Sequence, residues 1–116
     1  MLEVLLALYL LTPPLTPQEI VTELALNAGQ DPAFCTCIVQ RESSWDIAAI
    51  GDGGKAVGLW QWHIKSWQFV RRKMGLPGTD LRMDAWESTR TALWALDHGY
   101  ENWWSTAPRC RLELGN

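Results

Sequence analysis

Between residues 46 and 58 the chain places four glycines, Gly51, Gly53, Gly54 and Gly58, in a stretch without helical periodicity, while the sequence on both sides repeats apolar residues at helical spacing. Glycine enters backbone conformations closed to other residues, so this segment reads as turns with one short hairpin built around Asp52-Gly53. The remaining elements must be helices that reach this break or leave it.

Upstream, Thr16-Pro17 with Glu19 three residues after Thr16 is a capping box with proline at the first helical position. Ile20, Leu24 and Ala28 keep one apolar face, which predicts a helix over 17–28 ended near Gly29. Asp31-Pro32 repeats the same opening, and a second helix is expected from 32 to about 43, carrying Phe34, Cys35, Ile38 and Val39. Downstream, a third helix runs from Trp62 or Ile64 to Met74, with Trp67 and Val70 inward and Gly75 and Pro77 as its stop. A fourth starts near Asp84, holds Trp86, Thr89, Leu93 and Leu96, and breaks at Gly99. The expected fold class is mainly α: a small helical domain with a glycine-rich turn or short hairpin beside the second helix. A length of 116 residues, 47% hydrophobic, suits a single domain over 1–116 with one core.

Pro13-Pro14 ends whatever precedes it. The apolar run from Val4 to Leu11 is too short to span a bilayer, so no stable membrane span is expected. Residues 1–16 read either as an N-terminal helix packed on the domain or as a weak signal-like segment, with Glu3 and no Lys or Arg arguing against the latter. Net charge is −3, and apart from Arg71-Arg72-Lys73 the basic residues are scattered. A nucleic-acid-binding face is therefore not expected. A monomer is expected.

Three cysteines, Cys35, Cys37 and Cys110, lack zinc-ligand spacing, so neither a metal nor a cofactor is anticipated. In an oxidising compartment a bridge from Cys110 to Cys35 or Cys37 would close a loop of roughly 75 residues, worth about 4 kcal/mol by chain entropy. In a reducing one all three would be small buried hydrophobes.

Eight tryptophans is the compositional anomaly. Trp67, Trp86 and Trp94 sit at helical spacing and are expected in the core. Trp60 and Trp62, beside glycines and flanking Gln61, are expected to be exposed in a groove, where indoles stack on flat apolar faces such as sugar rings. Gly58 would let the backbone approach a ligand closely.

One acid stands out. Glu42 falls in the last turn of the second helix, at the end of the dipole that disfavours an anion, with Ile38 one turn below on the same face. Glycosidic cleavage needs a carboxylic acid to protonate the leaving oxygen, and that is the setting such an acid uses. A second carboxylate about 5–5.5 Å away would suit a nucleophile, and one about 6.5–9.5 Å away would leave room for a water. Asp52 and Asp46 are the candidates, Asp52 being better placed as a water-orienting base. His63 and His98 read as solvated.

These residues carry a resemblance. Residues 17–67 resemble the catalytic core of the soluble lytic transglycosylase and goose-type lysozyme superfamily, in which a Glu-Ser pair ends a helix and a Gly-Leu-x-Gln element follows; here they stand as Glu42-Ser43 and Gly58-Leu59-Trp60-Gln61. Gly51-Asp52-x-Gly is similar to the goose-type pattern. The end of the chain, Trp103-Trp104 followed by Pro108-x-Cys110, is similar to the resuscitation-promoting factors. The resemblance implies a lysozyme-like fold in which Glu42 is general acid and base and Ser43 helps hold it. Gln61 would contact the N-acetyl sugar, Asp52 would match a goose-type acid, and Tyr100 would stand near the transglycosylase tyrosine. It also makes Cys37, the cysteine nearer that side of the helix, the candidate partner of Cys110. The sequence departs from the families at His63, where goose-type proteins carry a further acid, at Tyr100-Glu101-Asn102, where a Tyr-Asn pair is interrupted, and in the position of the cysteine before the acid.

The implied activity is that of a cell-wall-degrading muramidase. It would cut the β-1,4 bond between N-acetylmuramic acid and N-acetylglucosamine in peptidoglycan glycan strands, by hydrolysis or by cyclisation to the anhydro sugar, outside the cytoplasm of a bacterium or in the service of a phage. The alternative is a non-catalytic module that binds peptidoglycan or chitin-like glycans.

Overall fold

A computed structural model describes residues 13–115; the helix-or-signal reading of residues 1–16 lies outside them over 1–12. Among the described residues there are five helices: α1 (Pro17–Asn27), α2 (Pro32–Ser43), α3 (Ile64–Lys73), α4 (Ala85–Asp97) and α5 (Ala107–Glu113). Between α2 and α3 lies the hairpin of β1 (Ile50–Gly51) and β2 (Ala56–Val57), joined by a 3-10 turn over Asp52–Gly54; a second such turn, Glu101–Trp103, precedes α5.

The helix starts follow their sequence signals. Thr16 Oγ1 accepts from the Glu19 amide at 3.1 Å while Glu19 accepts from the Thr16 amide at 3.0 Å, and Asp31 and Asp84 cap α2 and α4 through the amides of Ala33 and Glu87. α2 ends on two consecutive left-handed residues, Ser44 (φ +50°) and Trp45 (φ +70°), which turn the chain sharply just after Glu42. Asp46 then accepts from the Ala48 amide, so its carboxylate makes the turn rather than extending the helix.

In the hairpin Ile50 pairs with Val57 and Gly51 with Ala56, and Val57 bridges on to Trp62. Gly58 (φ +83°) is obligatory here: a Cβ would lie 1.9 Å from the backbone oxygen of Arg82. Arg82 in turn donates to the carbonyls of Lys55 (3.2 Å) and Trp62 (3.0 Å) and is clamped on Asp80, fastening the hairpin and the segment after it to the loop before α4.

Trp60, Trp62, Trp67 and Trp104 cluster in the core, meeting edge to face at centroid distances of 5.2–5.7 Å. Every indole N–H in this group is satisfied: Trp60 by Thr89 Oγ1, Trp62 by the Ser88 carbonyl, Trp67 by that of Thr79, and Trp104 by that of Trp60. The expectation of groove-exposed Trp60 and Trp62 is thus corrected: their partners lie on α4 and next to α5, distant in sequence, and no local pattern announces them. Trp86, expected in the core, is 45% exposed, whereas Trp94 is half-buried and stacks on His98 at 3.7 Å.

α5 is fixed to α2. Cys110 is disulfide-bonded to Cys37, with Cα atoms 5.8 Å apart, and Arg41 pairs with Glu113. Cys35 stays a free, buried thiol whose pKa is pushed up to about 12, first by burial and then by the nearby Asp31 charge. Arg111 lies over the Phe34 ring at 3.6 Å and pairs with Glu101, so α5 and the turn before it are held to α2 from a second side.

Candidate active site

Glu42 stands at the C-terminal end of α2, and the sharp turn at Ser44-Trp45 leaves its side chain beside a cleft. The cleft, about 90 Å³, is walled by Glu42, Gln61, Trp62, His63, Ser66, Trp103, Trp104 and Ser105. These residues come from four places: the end of α2, the segment after the hairpin, the first turn of α3, and the segment before α5. Thr106 Oγ1 donates to Glu42 Oε2 at 2.8 Å. No other protein donor reaches the Glu42 carboxyl among the described residues.

Gln61 reaches the cleft from a left-handed backbone (φ +53°). Its Nε2 donates to the carbonyls of Ala49 (3.1 Å) and Gly58 (3.0 Å), so the amide staples the hairpin as well as lining the wall. Its Oε1 is packed so closely on Gly51 that a Cβ there would sit 2.3 Å from it. Trp62 lines the cleft although it is almost wholly buried.

Other expected site residues lie elsewhere. Trp60 has no exposed surface and cannot offer its ring to a sugar. Ser43 donates to the Val39 carbonyl at 3.1 Å, one turn back along α2, so its hydroxyl is spent on its own helix. Gly58 serves the close packing on Arg82 described above. Tyr100 does not line the cleft; its ring lies 4.5 Å from that of Trp103 and 5.9 Å from that of Phe69. Asp52 is on the exposed turn of the hairpin, and its Oδ2 is 3.0 Å from His63 Nε2. The carboxylate therefore engages the imidazole rather than lining the cleft.

Several contributors, among them Ser66, Trp103, Ser105 and Thr106, were given no site role from the sequence. Trp103, 45% exposed and supported by Phe69 and Tyr100, is the aromatic ring the cleft presents outward. Ser105 and Thr106 supply hydroxyls beside Glu42. Thr106-Ala107-Pro108 repeats the opening grammar seen at Thr16-Pro17 and Asp31-Pro32, and that was the available signal for Thr106. Among the described residues no group of three or more His, Cys, Asp or Glu side chains is placed to hold a metal ion, and no helix is long and apolar enough to cross a membrane.

Residues 19–108 match the family model of the transglycosylase SLT domain, a span that includes every wall of the cleft and Thr106. No curated protein and no solved structure matches the chain significantly.

Proposed function

The chain belongs to the transglycosylase SLT domain family, and we propose that it cleaves the N-acetylmuramic acid–N-acetylglucosamine β-1,4 bond of peptidoglycan with Glu42 as its single catalytic carboxyl. The observation that carries this reading is that Glu42 is the carboxyl-bearing residue of the cleft, while Asp52 is engaged with His63 on the hairpin turn. An inverting hydrolase needs a second carboxylate to activate water, whereas cyclisation needs none, because the attacking hydroxyl belongs to the sugar itself.

In this scheme Glu42 protonates the bridging oxygen as the bond to the muramic acid C1 breaks. The glucosamine side leaves with that proton. The muramic acid's own hydroxyl then attacks C1, and the Glu42 carboxylate takes its proton, returning the acid to its starting state. The product carries an anhydro ring and is lighter by one water than the hydrolytic product.

A cleft of about 90 Å³ is small beside ordinary ligand pockets. The glycan therefore lies across it rather than inside it, with a ring against the exposed face of Trp103 and its polar groups toward Gln61, Ser66 and Ser105. Such a substrate places the protein's action outside the cytoplasm.

Digestion of purified peptidoglycan, with products identified by mass, tests the proposal: anhydro-muramyl products from the wild-type protein and none from Glu42→Gln support it. Unchanged digestion by Glu42→Gln would overturn it. Binding without cleavage by the wild-type protein would favour a glycan-binding module.

A further inference from the structure

Thr106 is the N-terminal flanking residue of α5, yet its hydroxyl makes no capping bond to that helix. Thr16, Asp31 and Asp84 in the same position all cap their helices. Thr106 has helical backbone angles (φ −78°, ψ −17°) where Thr16, Asp31 and Asp84 are extended, so α5 starts without the side-chain bond that α1, α2 and α4 keep. The hydroxyl is directed across to Glu42 Oε2, 64 residues away, at 2.8 Å.

From this exchange we infer that Thr106 is a positioning residue for the catalytic acid; the inference rests on the assignment of Glu42 made above. A glutamate carboxyl rotates about its last torsion with broad preference, and either oxygen can then face the substrate. The bond to Oε2 removes that freedom. It leaves Oε1, which no protein donor reaches among the described residues, free to handle the proton at the cleft that Glu42 lines. Ser43, adjacent to Glu42, cannot do this, because its hydroxyl is bonded to Val39.

The position of Thr106 is set by covalent and ionic ties rather than by its own helix. α5 has only seven residues, too few for stability alone, and is held to α2 by Cys37–Cys110 and by Arg41–Glu113. Arg41 and Cys37 lie one residue and five residues before Glu42, so the acid and the hydroxyl that orients it are referenced to the same helix. A preorganised acid gains rate because no reorganisation is needed as the proton moves.

The test compares Thr106→Val, Thr106→Ser and Glu42→Gln in a peptidoglycan digestion assay, with melting temperature recorded for each. Thr106→Val removes the hydroxyl at nearly constant shape, and kcat is expected to fall about 10- to 100-fold, the range for a lost hydrogen bond to a charged group, with KM changed less than threefold. Thr106→Ser keeps the donor and is expected to restore kcat to within about threefold of wild type. Should Thr106→Val fail to fold, Thr106→Ala carries the same expectation. The inference is overturned if the hydroxyl-free variant keeps wild-type kcat, or if Thr106→Ser is as impaired as Thr106→Val, which would mean packing rather than the hydroxyl matters. Activity in Glu42→Gln is a separate failure: it would remove the assignment of the acid itself, whatever Thr106 does.

Discussion

The carboxylate of Asp52 and the imidazole of His63 meet at 3.0 Å across the mouth of the hairpin, Asp52 from the turn and His63 from the start of α3. Both side chains are about half exposed or more. An exposed pair of this kind contributes little to stability, and it occupies the carboxylate that would otherwise be the natural base for a water. Asp52→Asn is expected to retain cleavage within a few-fold and to give the same anhydro products by mass. Loss of more than about a hundredfold in that variant would mean Asp52 reaches the reaction after all.

Trp103 and Trp60 separate binding from folding. The Trp103 ring is exposed at the cleft, and Trp103→Ala is expected to raise KM about fivefold, the loss of roughly 1 kcal/mol of stacking, with little change in melting temperature. Trp60 is fully buried with its N–H on Thr89, and Trp60→Ala is expected to cost about 3–5 kcal/mol in urea unfolding.

The glycine that ends β1 and the one that follows β2 differ in what they touch. A methyl at position 51 meets the end of the flexible Gln61 side chain, which can withdraw by giving up its bonds to Ala49 and Gly58. At position 58 it meets the Arg82 backbone and also forces an alanine into φ +83°. Gly58→Ala is therefore expected to lower the unfolding midpoint well beyond Gly51→Ala, while Gly51→Ala loses activity out of proportion to its stability. Urea melts paired with digestion rates decide this.

Most of the helical framework was legible because its signals are local. Thr16-Pro17-x-Glu19 and Asp31-Pro32 start helices where they predict, and the glycines from 51 to 58 bracket a real hairpin. The destinations of the tryptophans were not legible, since Trp60 and Trp62 are buried by Ser88 and Thr89 and by Trp104, contacts 26 to 44 residues away. Thr106 was missed for the same reason: its opening grammar is local, and its use on Glu42 is not. Ser43 shows the converse: the resemblance implied that it helps hold Glu42, and helix geometry sends its hydroxyl back to the Val39 carbonyl.

The Arg82–Asp80 clamp gives a pH dependence with a definite sign. Chiefly through its hydrogen bond, Arg82 holds the Asp80 carboxyl below its ordinary value of 3.8, so the folded value is depressed. The stabilisation is fully present above 3.8 and is lost as pH falls through the folded value. Asp80 is about half exposed, so screening keeps the effect small. Asp80→Asn is expected to melt slightly below wild type near neutrality, and the two curves should converge as pH falls below 3.8. A constant gap at all pH values would assign the loss to packing instead.

Reducing the Cys37–Cys110 bond is expected to lower stability by about 4 kcal/mol, the chain-entropy value for a loop of this length, as measured by urea unfolding with and without reductant. Activity should fall before global unfolding, since α5 carries Thr106 and loses its covalent tie to α2.

That bond also gives the protein a topology. Its two cysteines are 73 residues apart, and Glu42, the hairpin, α3, α4, Trp103 and Thr106 all lie between them. The site is therefore built entirely within one closed ring of chain. A protease that nicks the exposed turn at Lys55 opens that ring without detaching either half, so a once-cut molecule in an oxidising, protease-rich setting keeps every wall of the cleft on a single covalent body.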